Sequence, residues 1–180
     1  MNNYKSLVAM LLLASSAITV SDTCAQSRPF EFGASVGASV PTTNFQHTAG
    51  PGFFGGLHAG RWSSEHVFLF LATGYDQFGE QTLKDGSKET GAFLPVELGF
   101  RYHAGGADNK GMYFSMAGGV LFSQGDFEGR KAGLTLGVGY AFPTIGRRLL
   151  VDARYRSEVS DPFNSYLNVG LTIEFGAGQN

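Results

Sequence analysis

Residues 30–40 alternate without a break. Phe30, Phe32, Ala34, Val36, Ala38 and Val40 take one phase, and Glu31, Gly33, Ser35, Gly37 and Ser39 take the other. Successive side chains of a strand point to opposite faces, so this run predicts a strand with one apolar and one small, polar face. The same period recurs near residues 52–62, 67–78, 92–103, 112–122, 133–142, 149–159 and 166–175, which makes eight segments. Leu94, Val96, Leu98, Phe100 and Tyr102 oppose Glu97, Gly99, Arg101 and His103; Leu149, Val151, Ala153 and Tyr155 oppose Asp152, Arg154, Arg156 and Glu158. In 67–78 the phase is set by keeping Asp76 off the apolar face, and in 52–62 Leu57 and Ala59 oppose His58 and Gly60. Pro95 cannot donate to a ladder, so a bulge or local break is expected there. No long segment carries a 3.6-residue apolar stripe.

Segments of this length match the roughly 9–11 residues that cross a bilayer at a tilt. An even number of them puts both chain ends on one side. Residues 63–66 read as a tight turn, whereas 41–51 and 79–91 are long and rich in loop residues, which places them on the outer side. The pattern predicts an all-β fold: an antiparallel up-and-down transmembrane β-barrel of eight strands.

Alternation does not say which face is outside. An outward apolar face makes a membrane barrel; an inward one makes a soluble lipocalin-like barrel with a cavity for an apolar ligand. Three features favour outward. The polar face is often Gly, Ser or Thr, as at Gly33, Ser35, Gly37, Ser39, Thr135, Gly137 and Gly139, which suits a narrow interior better than a water-facing coat. Aromatic residues recur near segment ends, at Phe30, Phe32, Trp62, Tyr75, Phe78, Tyr102, Phe122, Phe142, Tyr166 and Phe175, as girdles at two membrane interfaces would. About a third of them read equally as interior aromatics. Finally, the apolar faces carry no charge except Arg61 beside the tight turn, and a Lys or Arg facing mid-bilayer costs about 2–4 kcal/mol.

Composition agrees. Charged residues make up 16% of the 180 residues, against roughly a quarter in soluble domains. Gly (26) and Phe (16) are both abundant, as a barrel with a crowded interior and an apolar coat requires. A net charge of −2 gives no footprint for nucleic acid. At the N-terminus, Lys5 precedes an apolar run, and Thr23-Cys24-Ala25 offers small residues before Gln26, the order of a secretory signal. Residues 1–25 are therefore expected to be removed, leaving a barrel domain of 26–180 without cysteine.

The last segment, Asn168-Val169-Gly170-Leu171-Thr172-Ile173-Glu174-Phe175, is similar to the C-terminal assembly signal of outer-membrane barrels, at Asn168, Gly170, Ile173 and Phe175. With the export signal and eight segments, the chain resembles the small outer-membrane barrels of the OmpA-transmembrane or OmpX type. That resemblance implies residence in a bacterial outer membrane among lipid and lipopolysaccharide. It also implies insertion by the barrel-assembly machinery, and a monomer is expected.

Glu31, Glu97, Arg101, Asp152, Arg154, Arg156, Glu158 and Glu174 share the polar phase and are expected to form a lumen network of ion pairs, since buried charges need partners. A wide pore is not expected, because eight strands leave an interior that side chains fill. His47, His58, His66 and His103 lack metal-ligand spacing, and no cofactor motif is found. The expected function is a non-enzymatic outer-membrane barrel with a structural, surface-contact or minor small-solute role. The alternatives are the soluble apolar-ligand barrel and a lipid-modifying outer-membrane enzyme.

Overall fold

The computed structural model describes residues 30–47, 49–82, 88–107, 110–125, 129–144, 147–159 and 164–176. The expected signal at 1–25, with Cys24, lies outside them. The elements are β1 (Glu31–Thr43), the 3₁₀ turn η1 (Asn44–His47), β2 (Gly50–Trp62), β3 (Val67–Gly79), the short β4 (Gln81–Thr82) and β5 (Lys88–Glu89), β6 (Gly91–His103), β7 (Gly111–Gly125), β8 (Gly129–Thr144), β9 (Arg147–Glu158) and β10 (Asn164–Phe175). Eight of these close into a barrel in the order β1-β10-β9-β8-β7-β6-β3-β2, and β4 and β5 form a separate hairpin in the β3–β6 connection. Every barrel pair is antiparallel, and the ring closes where β1 meets β10 from Phe32↔Phe175 to Thr43↔Asn164.

The predicted phases hold around the ring. Val36, Leu57, Leu71, Leu98, Phe114, Leu136, Val151 and Leu171 are exposed on the outer face, Leu57 at 63% and Leu136 at 48%. Glu31, Asp76, Glu97, Arg101, Asp152, Arg156 and Glu174 are buried inside. An apolar coat around a charged interior is the inverse of a lipocalin-like cavity and is what a hydrocarbon environment demands.

The irregularity expected at Pro95 is present as a local break. At Pro95 the β3–β6 ladder omits the pairs of Gly74 and Tyr75, and the register is the same on either side; Pro95 still pairs with Leu121 across β7. The proline thus interrupts one ladder without a bulge. The register slip lies elsewhere, between Gly50 and Phe53 opposite β3.

The girdle reading needs one correction. Phe30, Phe32, Tyr75, Tyr102, Phe142 and Phe175 are exposed, but Trp62, Phe78 and Tyr166 are buried inside the barrel. Each lies at an even spacing from an inward polar residue (His58, Asp76 and Asn168), so strand parity turns it inward despite its place near a strand end.

The two ends of the barrel differ. One, the turn end, carries the turn 63–66, the described residues 104–107 after β6, the end of β8 and the start of β9, together with Phe30 and Phe175; the other, the loop end, carries η1 and the β4–β5 hairpin. At the loop end Phe45, Ala49, Phe78, Phe93, Leu121 and Tyr166 pack into a plug, in which the Phe93 and Tyr166 rings stack at 5.7 Å. At the turn end Trp62, Phe68, Phe70, Ala107 and Ala117 form a second apolar layer. Gly106, at φ 78, supplies the left-handed residue of the turn after β6, where its N–H donates to the His103 carbonyl at 3.1 Å.

Candidate functional site in the barrel lumen

Between the two apolar layers the inward phases bring charge from six strands together. Near the turn end, Glu174 on β10 is the hub. Its Oε1 accepts from Arg101 Nη1 at 2.5 Å and is hydrogen-bonded to His58 Nε2 at 2.8 Å, and its Oε2 accepts from Arg148 Nη1 at 3.2 Å. Arg148 also reaches Glu31 Oε2 at 3.3 Å and donates to the Ala107 carbonyl. Trp62 Nε1 donates to Glu31 Oε1 at 2.7 Å, and the Arg148 guanidinium lies 5.0 Å from the indole. Arg101 sits among the rings of Phe68, Phe70 and Tyr113, 4.9 Å from the last. Cation–π contacts of this kind strengthen when water is excluded.

In the middle, Arg154 grips Asp152 with two bonds, Nε to Oδ1 at 2.8 Å and Nη2 to Oδ2 at 2.9 Å. Tyr113 donates its hydroxyl to the same carboxylate at 2.7 Å, and Arg154 also reaches Thr172. Nearer the loop end, Arg156 holds Glu97 in a fork, Nε to Oε1 at 3.0 Å and Nη2 to Oε2 at 2.8 Å, and pairs through Nη1 with Asp76. Thr135 donates to Glu97 at 2.6 Å, Tyr166 to Asp76 at 2.7 Å, and Asn168 Nδ2 to Asp76 Oδ1 at 3.2 Å. Such two-pronged arginine–carboxylate pairs fix geometry as well as charge.

All eight sequence-predicted network residues face inward, but not as one cluster. Glu31, Arg101 and Glu174 form the turn-end group, Asp152 and Arg154 the middle, and Glu97 and Arg156 the loop-end group. Glu158 stands apart, paired with the half-exposed Lys131 at 2.7 Å. Sequence reasoning gave Asp76 an inward phase without joining it to the network, and missed Arg148, His58, Trp62, Tyr113 and Tyr166. The signal for Arg148 was its even spacing to Asp152; it fell one residue before the assigned start of that segment.

Among these groups lies a cavity of about 50 Å³, bordered by His58, Arg101, Tyr113, Asp152, Arg154 and Asn168 among others. That is room for a few waters. Among the described residues, no group of three His, Cys, Asp or Glu side chains is arranged to hold a metal ion.

The proposed assembly-signal residues lie on the strand that closes the ring. Asn168 is buried, Ile173 and Phe175 face outward, and Gly170 lies opposite Gly37. A Cβ on Gly170 would come within 2.4 Å of the Val36 carbonyl and 2.6 Å of the Phe54 ring, so glycine here lets the first and last strands close around Phe54.

Neisserial surface protein A superposes on this chain with a TM-score of 0.66, covering 82% of this chain and 96% of its own at 11% identity. The fold is that of a small outer-membrane β-barrel. The N-terminal barrel domain of Pseudomonas aeruginosa OprF is similar at a TM-score of 0.50, with 14% identity over 83% of this chain and 98% of its own. The Yersinia pestis outer membrane protein Ail, in a phospholipid bilayer nanodisc, is similar at 0.50, with 12% identity over 82% of this chain and all (100%) of its own. No family model and no curated protein matches the sequence. At such identities the outer-membrane barrel fold is shared through alternation and closure, which many sequences satisfy.

Proposed function

We propose that the protein is a non-enzymatic outer-membrane barrel, exported with loss of residues 1–25, that acts as a structural or surface-contact element with a lumen closed by paired charges. The observation that carries this reading is the inversion of polarity: an apolar outer face with charge only at strand ends, around an interior where, among the described residues, each buried carboxylate is held by Arg, His, Lys, Tyr, Thr, Asn or Trp donors. Those carboxylates are committed to fixed partners, which favours a filling role over acid–base chemistry. The outward arginines support the membrane placement, because they sit at strand ends: Arg130 lies 5.6 Å from the Phe122 ring and Arg147 lies 5.8 Å from Phe175. On this reading Asn168, Gly170, Ile173 and Phe175 are what the barrel-assembly machinery recognises, the outer face meets lipid and lipopolysaccharide, and the barrel works as a monomer.

The test is side-chain direction on β9. Single cysteines replacing Tyr155 and Arg154 carry an environment-sensitive fluorophore in vesicles containing brominated lipid. Quenching is expected at Tyr155→Cys and not at Arg154→Cys. The reverse pattern, or a mature chain that stays soluble without detergent, would overturn the proposal.

A further inference from the structure

Among the described residues, the charge in the lumen balances in two groups and fails to balance in the third. Glu31 and Glu174 face Arg101 and Arg148, and Asp152 faces Arg154. In the loop-end group, two carboxylates, Asp76 and Glu97, share the single guanidinium of Arg156. All three side chains are buried, at 2%, 4% and 5% exposure, and Arg154, the nearest further cation, is already paired with Asp152, so across the middle and loop-end groups three carboxylates meet two guanidinium groups and one negative charge is left over.

Two unpartnered oxygens lie on β1 and β10, one of them on the Asn168 side chain that donates to Asp76. Asn168 spends its Nδ2 on Asp76 Oδ1, while its own Oδ1 is buried without a hydrogen-bond partner. The rigid amide keeps that oxygen beside the Asp76 carboxylate. Ser39 Oγ is likewise buried and unpartnered. Ser39 on β1 is in register with Asn168 on β10, and both point inward, which brings their Cβ atoms to roughly 5 Å. Carboxylate, amide and hydroxyl oxygens are the ligands of a hard cation. The adjoining cavity, bordered by Asp76 and Asn168, leaves room for water to complete a coordination shell.

We propose that the loop-end cluster of the lumen binds a monovalent alkali cation of the sodium class, held by Asp76, Asn168 and Ser39. A single excess charge matches a monovalent ion. Calcium takes six to eight oxygens, commonly from several carboxylates, and here Glu97 is already gripped in the arginine fork. The ion ties β1, β3 and β10 together across the junction where the ring closes.

The test is urea unfolding of the mature chain in phospholipid vesicles, with sodium chloride exchanged for N-methyl-D-glucamine chloride at fixed ionic strength. An ion that binds only the folded barrel stabilises it by mass action. The unfolding midpoint is expected to stay level at low sodium and then to rise with the logarithm of its concentration above the dissociation constant. Ser39→Ala, which removes one ligand without changing charge, is expected to move the onset of that rise to about tenfold higher sodium. Asp76→Asn, which cancels the excess charge, is expected to abolish the dependence. Equal wild-type midpoints in the two salts would show that a proton or a water occupies the place, and would overturn the proposal. So would a sodium-dependent rise that persists unchanged in Asp76→Asn.

Discussion

Glu174 is fully buried, and donors reach it from β2, β6 and β9. Replacing it with glutamine keeps the shape but leaves two guanidinium groups, Arg101 and Arg148, with the single carboxylate of Glu31 between them. Breaking a buried pair from one side is costly because the remaining charge stays desolvated. Glu174→Gln is therefore expected to destabilise the barrel by ~3 kcal/mol in urea unfolding from vesicles. Arg130→Ala, which removes an exposed cation over Phe122, is expected to cost no more than ~1 kcal/mol in the same assay. At this scale the sequence was legible wherever charge fell inside an assigned segment. Glu97, Arg101, Arg156 and Glu174 could all be placed by parity, which says only that a side chain points inward. The partners could not, because Arg156–Asp76 and Arg101–Glu174 cross the lumen between strands that are not neighbours.

At the scale of the strand, the outer face of β8 shows what the lipid requires. Leu136 lies near the middle of β8, exposed between Leu134 and Val138. Leu136→Arg is expected to cost about 2–4 kcal/mol, the depth-dependent penalty for a cation facing mid-bilayer, and this is measurable by unfolding in vesicles of defined thickness. The inner face of the same strand follows a different rule. A Cβ on Gly139 would lie 2.5 Å from the Tyr113 ring, so its glycine makes room for the tyrosine that holds Asp152. Period-two alternation made these strands readable, and it misled only where a second pattern was laid over it. Placing Trp62, Phe78 and Tyr166 in an interfacial girdle used their position along the strand and set aside their parity. At the start of β2 the register slips between Gly50 and Phe53, so no single phase covers both sides there.

Across the whole molecule, the interior is layered: an aromatic plug with η1 at the loop end, three charge groups, and a second apolar layer at the turn end. The described lumen cavity, about 50 Å³, holds a few waters and is too small for a sugar. Vesicles reconstituted with the mature barrel are accordingly expected to retain small sugars in a swelling assay and to show no steady single-channel conductance. Rapid sugar entry would mean that the plug opens. The layering was not legible in the sequence, because residue 45 lies in a connection without alternation and folds back over the barrel as part of η1. Trp62, the chain's single tryptophan, gives the architecture an optical consequence. Its indole donates to Glu31 on the first strand and lies under Arg148 on the penultimate strand, so its surroundings are complete only when both ends of the chain have come together. Emission from this one residue therefore reads two stages: the contacts with Glu31 and Phe68 belong to neighbouring strands, whereas Arg148 arrives over the indole only when the ninth strand has come round to the first ones.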